Sequence, residues 1–518
     1  MSNNFMGLYI AKTGLFASQR GLELSGHNIS NAGTEGYTRQ RLNLSSIPPS
    51  TGNSLVKYNI RGKTGRGVQI NCIEQIRDEF LDSQFRKENG TLGNLGVKAD
   101  TLYYIEDIFN EPSDTGLTSV LNSFYNSIQQ LSKTPESKDS RTLVKQNAIS
   151  VCTTINDYAK SLQSLQGDQN TGATITVKKM NEYVEQIADL NLQILKYEMG
   201  GEPANDLNDK RNLLLDELSK LVDISYTYDE NNSVSVYIGN DVTNDDMCLV
   251  DGVDTTYYQI GINQDKPDYY GNANVFDSYV LTSKNGNAVE ITADNIKSGE
   301  LKGYLDMRDG TTSSTMGIPY ILSQVDMLAR EIAKSYNDVH VEGYGIPDQE
   351  NGGVSKTGVY FFAVDTSSGT ADYSSVNALN FSLSDDILES VYNIAASDRE
   401  IDLNAANSNI GNAVNALKLA AIVTNTDEGG TSSIDNMLKS IVSELGVMAD
   451  HFNNALENEQ TIVDSVDYKR QSVSGVSIDE EMINVISFEK SYAACSRVIT
   501  AIDEMLDKLI NGTGIVGR

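Results

Sequence analysis

The stretch SGHNISNAGTEGYTRQ, residues 25–40, brings a regular apolar stripe to an end in a cluster of Asn, Gly and Thr. Upstream of it, Leu8, Ala11, Leu15, Ser18, Leu22, Ser25 and Ile29 alternate spacings of three and four, which puts them on one face of a helix. A lone amphipathic helix is marginal in water, so this stripe needs a partner, and its small Ala and Ser residues suit a close one. Asn28, Asn31, Gly33 and Gly36 then stop the helix, because Asn and Gly tolerate the left-handed backbone that caps it and turns the chain away.

The other end of the chain supplies the partner. Ser477 and Glu480 form a capping box, and the helix they open carries Ile478, Val485, Tyr492, Ile499 and Leu506 at spacing seven. Phe488, Cys495, Ile502 and Leu509 give the second line of a heptad seam. The expected arrangement is a coiled coil of the two chain ends.

Between the ends the pattern is helical, then β-rich, then helical again. Val144, Ala148, Val151, Ile155, Tyr158, Leu162 and Leu165 form a seam within a block at 140–166, a second block runs from about Thr174 to Tyr197, and a third holds Leu207 to Leu221. Ile434, Leu438, Ile441, Leu445, Met448, Phe452 and Ala455 form another stripe, with a capping pattern at Ser432 to Asp435. ISYTYDENNSVSVYIG and YVLTSKNGNAVEIT alternate apolar and polar residues about turn signals, which predicts hairpins, and Val68, Ile70 and Cys72 read as a strand or extended arm. A helix at 316–340 bounds the insert, after which Gly343 to Ser397 reads as loops and strands.

The fold class expected is therefore α+β and multidomain: N- and C-terminal helices paired in a coiled coil and helical bundle, with a β-rich central insert. The segments expected to belong together are 1–40 with 472–518 as an inner coiled-coil domain, 41–223 with 401–471 as a helical bundle domain, and 224–400 as the β-rich outer part. At 518 residues the chain is long enough for several cores.

Lys and Arg total 40 against 71 Asp and Glu, a net charge of -31, which disfavours nucleic acid and anionic membrane surfaces as partners. The apolar run near the start, Leu8 to Ala11, is too short for a cleavable signal, and the run Val359 to Val364 is far shorter than a membrane span. A soluble chain is expected, exported, if at all, without a cleaved signal. Cys72, Cys152, Cys248 and Cys495 lie far apart with no metal-site spacing and read as small buried apolar residues.

Catalytic patterns are not assembled by these residues. His27, His340 and His451 stand apart, RGKTGRG has Lys57 where a phosphate loop needs its first glycine, and there is no GxSxG elbow. Asp245 with Asp246, and Asp479 to Glu481, fit solvated turns and helix N-termini. No enzyme, cofactor or metal site is expected. Tyr257, Tyr258, Tyr269 and Tyr270 leave one rival of another class, a carbohydrate-binding module.

NISNAGTEGYTRQ, with LFASQRGLELSGH before it, closely resembles the N-terminal motif of the bacterial flagellar axial proteins, the rod, hook and hook-associated proteins, in Asn28, Ile29, Asn31, Thr34, Gly36 and Tyr37. SGVSIDEEMINVISFEKSYAACSRVITAIDEMLDKLING is similar to their C-terminal motif in Gly475, Val476, Ser477, Glu480, Glu481, Phe488, Tyr492, Ala493, Asp503, Met505 and Leu506. Arg39 and Gln40 of GYTRQ, the block EPSDTGLTSVLNSFYNSIQQLSKTPES and ANDLNDKRNLLLDELSKLVDI resemble the hook-associated branch, as do SYNDVHVEGYG, VYFF and NSNIGNAVNALKLA. The resemblance spans about 1–225, 316–345 and 400–518.

The resemblance implies a structural axial protein of the flagellum at the hook–filament junction. It would assemble helically through its terminal helices, at Leu8, Leu15, Leu22, Ile29, Ile478, Val485, Phe488, Tyr492, Ile499, Ile502, Leu506 and Leu509. The implied partners are further copies of the chain, the hook protein, the next hook-associated protein toward the filament, and an export chaperone on Val485, Phe488, Tyr492, Ile499 and Ile502. The implied location is extracellular, reached through the flagellar type III apparatus. A hook-type axial protein is the nearest alternative.

Overall fold

A computed structural model describes residues 2–48, 65–111, 116–201, 203–347, 355–367, 371–403, 408–422 and 434–512. In chain order the elements are α1 (Ser2–Ser30), β1 (Gln40–Ser46), β2 (Val68–Gln75), α2 (Glu79–Phe109), α3 (Leu117–Lys133), α4 (Lys138–Met199) and α5 (Asn205–Leu221). The strands β3 (Ile224–Tyr228), β4 (Val234–Ile238), β5 (Cys248–Asp251), β6 (Thr256–Tyr257), β7 (Ile260–Lys266), β8 (Phe276–Thr282) and β9 (Ala288–Ile291) follow. Then come α6 (Glu300–Asp309), α7 (Ile318–His340), α8 (Asp385–Glu389), α9 (Val414–Ala421), α10 (Ile434–Ser474) and α11 (Ile478–Gly512).

The blocks read as separate at 140–166 and 174–197 are one helix, α4, of 62 residues. Gly167 and Gly172 suggest a break from sequence, but Gln166 and Gln169, buried between the two stretches, find tertiary partners. Gln166 donates to the Arg308 carbonyl at 2.8 Å, and Gln169 accepts from the Thr101 hydroxyl at 3.1 Å. Arg308 and Thr101 thus take up part of the polar join, although Gln166 Oε1 stays buried without a partner, and the helix continues.

Two apolar cores lie along α4. The first holds Val144 to Leu165 of α4 with Leu102 and Ile105 of α2, Phe124 and Ile128 of α3, Ile318 to Tyr336 of α7, and Ile434 to Phe452 of α10. The second holds Ala173 to Ala188 of α4, Leu215 and Leu218 of α5, Val234 and Val236 of β4, Tyr279 and Leu281 of β8, and Leu301 and Leu305 of α6. Residues 224–400 are therefore shared: the β-sheets cover the second core, and α7 with Phe361, Phe362 and Phe381 enters the first.

Both hairpins form. β3 and β4 pair antiparallel from Ile224 opposite Ile238 to Tyr228 opposite Val234, within the sheet β3-β4-β5-β6. β8 and β9 pair in the sheet β7-β8-β9, with Gly286 at positive φ in the turn. The segment 343–397, read as loops and strands, holds no named strand among its described residues. Its described residues make isolated bridges such as Phe362 with Leu383, and short helices. The reason is local: the Phe361 and Phe362 amides both donate to Asn337 Oδ1 at 2.8 Å, so their ladder bonds go to a buried side chain while their rings fill the core. Ser432 and Ser433 of the proposed cap before α10, Lys57, residues 61–64 of RGKTGRG, and 513–518 of the inner segment lie outside the described residues.

The cysteine reading needs a correction. Cys152 and Cys248 are buried, but Cys495 is half-buried and Cys72 is exposed on β2, because β1–β2 forms a two-stranded arm with only one covered side. The lone-histidine reading is explained at His340, where Nδ1 lies 2.7 Å from the Val359 carbonyl and Nε2 accepts from the Ala395 amide at 2.8 Å. Burial pushes this imidazole down to about 4, so it stays neutral.

Candidate functional site at the joint of the terminal helices

α1 and α11 pack against each other antiparallel, and glycine sets how closely. Gly7, Gly14 and Gly21, seven residues apart, face Ile502, Cys495 and Phe488, also seven apart. A Cβ on Gly21 would lie 2.6 Å from the Phe488 ring, and one on Gly14 would lie 2.9 Å from Cys495 Sγ. Both are inside contact distance, so the phenyl ring and the thiol occupy space that any larger residue would fill. Ala11, Ser18, Ser25 and Asn28 are buried beside this line.

The residues read from sequence as the seam occupy its flanks. Leu8, Leu15, Leu22 and Ile29 are half-buried beside the glycine line. On α11, Ile502 is buried and Val485, Phe488, Ile499 and Leu506 are half-buried, while Ile478, Tyr492 and Leu509 are exposed. The line nearest α1 is Phe488–Cys495–Ile502, the second of the two heptad lines. The missed signal was the glycine repeat itself, which a search for large apolar residues passes over. The helix pair also leaves Met482, Ile486, Val498 and Met505 of α11 and Tyr9 and Phe16 of α1 in solvent.

At the end of α1 the motif residues close a joint. Gly36 takes φ +75°, and a Cβ there would press on Leu213 of α5 at 3.2 Å, so glycine suits both the turn and the contact. Asn31 donates to the His27 carbonyl at 3.0 Å, which holds the cap. Asn28 reaches across the turn: its Nδ2 donates to the Gln40 carbonyl at 2.9 Å, and its Oδ1 accepts from the Gln40 amide at 3.2 Å and from the Tyr37 hydroxyl at 2.8 Å. His27 Nδ1 lies 2.9 Å from that same hydroxyl. Burial, with Asp206 and Asp209 nearby, holds the Tyr37 hydroxyl protonated well above its ordinary range.

Two further stretches converge here. The Thr38 amide donates to Asp209 Oδ2 at 3.0 Å, Gln75 to Asp209 Oδ1 at 2.8 Å, and Gln40 Nε2 to Asp206 Oδ1 at 2.9 Å, so the start of α5 docks on the turn. Burial first, against the bonds from Thr38, raises Asp209 to about 6. The Arg39 amide donates to the Ser474 carbonyl at 2.9 Å. Its guanidinium donates from Nε to Glu481 Oε1 at 2.8 Å and from Nη1 to Glu480 Oε2 at 2.7 Å. The acid of the C-terminal capping box is thus held by the N-terminal motif. Ser477 Oγ still accepts the Glu480 amide at 3.4 Å.

Behind the turn, arginines tie the bundle to the joint. Arg86 of α2 donates to Asp216 of α5 at 2.7 Å, Arg77 to Asp82 at 3.0 Å, and Arg470 of α10 to Asp216 at 2.5 Å while lying over Phe85. These pairs are largely buried, and Asp216 is shared between Arg86 and Arg470, while Arg86 Nη1 is buried without a partner. Nothing local in the sequence assigns Asp206 and Asp209 a role. Their helical spacing of three was available, but their partners come from residues more than a hundred positions away.

The arrangement is mechanical. Four chain segments meet with fixed geometry, and among the described residues no group of three or more His, Cys, Asp or Glu is disposed to hold a metal. No helix among the described residues is long and apolar enough to cross a membrane. Of the four tyrosines considered for sugar binding, Tyr269 and Tyr270 have structural contacts: their hydroxyls donate to Asp326 at 3.1 and 3.5 Å, while Tyr257 is exposed.

Comparison with known proteins agrees with this geometry. Residues 102–356 match the flagellar hook-associated protein FlgK helical domain, and residues 470–512 match the family described as flagellar basal body rod FlgEFG protein C-terminal. The chain is 33% identical to flagellar hook-associated protein 1 of Bacillus subtilis (strain 168), covering 100% of both chains. It is 22% identical to flagellar hook-associated protein 1 of Escherichia coli (strain K12), over 97% of this chain and 98% of that one. A solved structure of the flagellar hook junction protein FlgK from Burkholderia pseudomallei matches 76% of this chain and 100% of its own with a TM-score of 0.59 at 15% identity, which shows a shared fold. Paired terminal helices, a helical body and β-sheets over one end thus define a structural protein of the bacterial flagellum. The chain belongs to the flagellar hook-associated protein 1 family.

Proposed function

We propose that the chain is the hook–filament junction subunit and that it works by helical self-assembly through α1 and α11, not by catalysis. The observation that carries this reading is the set of exposed apolar residues along α11. Met482, Ile486, Val498 and Met505 remain in solvent although the same helix already packs on α1, and such a surface calls for a further partner. Copies joined by heterologous contacts of this kind extend as a tube. In this reading residues 1–40 and 472–518 line the inside, the helical body surrounds them, and the β-rich part faces outward. The hook protein lies on one side and the next hook-associated protein on the other.

The subunit reaches this extracellular position through the flagellar type III apparatus, with an export chaperone on Val485, Phe488, Tyr492, Ile499 and Ile502. Phe488 and Ile502 pack on Gly21 and Gly7 once folded, so chaperone and α1 would compete for one face. Ile502→Asp should then lose chaperone affinity, by calorimetry, together with incorporation. Immunogold labelling with an antibody against residues 224–400 tests the position: a single short band at the hook–filament boundary is expected, and label spread along hook or filament would assign another axial role.

A further inference from the structure

α10 runs antiparallel along α2, and its two ends are well anchored. At the upper end Leu438, Ile441, Leu445, Ala449 and Phe452 enter the first core. At the lower end Val463 and Val466 are buried, and Arg470 reaches Asp82, Asp216 and Asp467. Between Phe452 and Val463, about three turns, α10 has no buried residue. The seam position that should be apolar in that stretch is Glu459. Its Oε1 is buried without a hydrogen-bond partner, and the carboxylate faces Glu88 of α2.

A second acidic pair flanks the upper end. Glu106 of α2 lies 4.0 Å from where a Cβ on Gly446 would sit, one turn from Asp450. The surroundings offer little compensation. Lys87 is 3.7 Å from Glu88 but its side chain is 80% exposed, and Lys98 is engaged by Asp306 at 2.7 Å. From α7, Tyr320 donates to Glu444. Arg470 is taken by three carboxylates. Two pairs of acids thus sit across a helix contact in which Leu456, partly buried, is the apolar residue packed on the first core between Phe452 and Val463.

We propose that α10 is a proton-sensitive strap: it tightens on α2 when Glu459 and Glu106 are protonated, and its middle turns lift away when they ionise. Because α10 leads into the joint at Ser474, the strap sets how firmly α11 is tied to the helical body, independently of what α11 binds. Burial, then the facing carboxylate, raises both Glu459 and Glu106. The sign follows from that direction. An acid whose folded value exceeds its unfolded one binds protons more readily in the docked state, so docking strengthens as pH falls through the carboxylate range and weakens as pH rises past it.

Hydrogen exchange on the full chain tests the strap, at about pH 5 and about pH 8, with rates corrected for intrinsic exchange. Residues 453–462 should be several-fold better protected at the acidic pH, with α3 unchanged. In the E106Q/E459Q chain the protection should be high and equal at both pH values. Equal protection of the unsubstituted chain at both pH values would overturn the proposal, as would a pH dependence that persists in the double variant or one shared equally by α3. If the double variant does not fold, E459Q alone gives the same reading for residues 456–463.

Discussion

Arg39 binds the two ends of the chain together. Its amide reaches the Ser474 carbonyl, and its guanidinium holds Glu480 and the buried Glu481, while Thr38 beside it is held by Asp209. Removing a guanidinium from a buried acid leaves that acid uncompensated, at a cost of about 3 kcal/mol. Arg39→Ala should therefore speed hydrogen exchange in the first turns of α11 and leave α3 unchanged. Asp209 gives a pH signature at the same joint. Its folded value of about 6 lies above its ordinary 3.8, so its contribution to stability grows as pH falls from neutrality through about 6 and levels off below about 4. Asp209→Asn keeps an acceptor for the Thr38 amide without the charge. It should melt above the unsubstituted chain at neutral pH, and the two melting curves should converge near pH 4.

Within the elements, spacing on α1 decides what its partner can do. Three glycines at seven-residue intervals bring the axes close enough for Phe488 to lie on Gly21. Overpacking such a contact costs about 1–3 kcal/mol, and here the contact holds few other buried groups. Gly21→Leu should loosen α1 and α11 together, seen as lost exchange protection in both helices, while the body melts as before. Loosening of α1 alone would mean that α11 is held by something other than this contact. The heptads of α11 were legible because large residues repeated at spacing seven. The glycine line carries no such signal, because it marks the absence of side chains. The line from Leu8 to Ile29 names the correct helix and the correct partner but lies one position round from the closest approach.

At the scale of the whole molecule α4 joins two cores through a polar middle. Leu162 belongs to the first and Val184 to the second. Leu162→Ala and Val184→Ala should each cost about 1–4 kcal/mol, depending on how far each site relaxes. Exchange should show the first loosening α3 and α7 and the second loosening the β-sheets. Loosening of both regions by either change would mean that the cores unfold as one unit. The exposed Cys72 adds a simple readout, since a thiol reagent should modify it in the native chain well before the buried Cys152 and Cys248.

The sequence by itself determined which segments are helical, where the hairpins turn and that the two ends pair, because periodicity, caps and turn residues act within a few positions of one another. It also carried the family, since motif residues such as Asn28, Tyr37 and Glu480 stand in place whether or not their contacts are known. Tertiary structure alone decided that α4 runs unbroken, that the Phe361 and Phe362 amides go to Asn337 rather than to a ladder, and that Arg39, Asp209 and Glu481 meet. Those outcomes depend on partners as far as 442 positions apart, and no local pattern records which buried polar group will satisfy which.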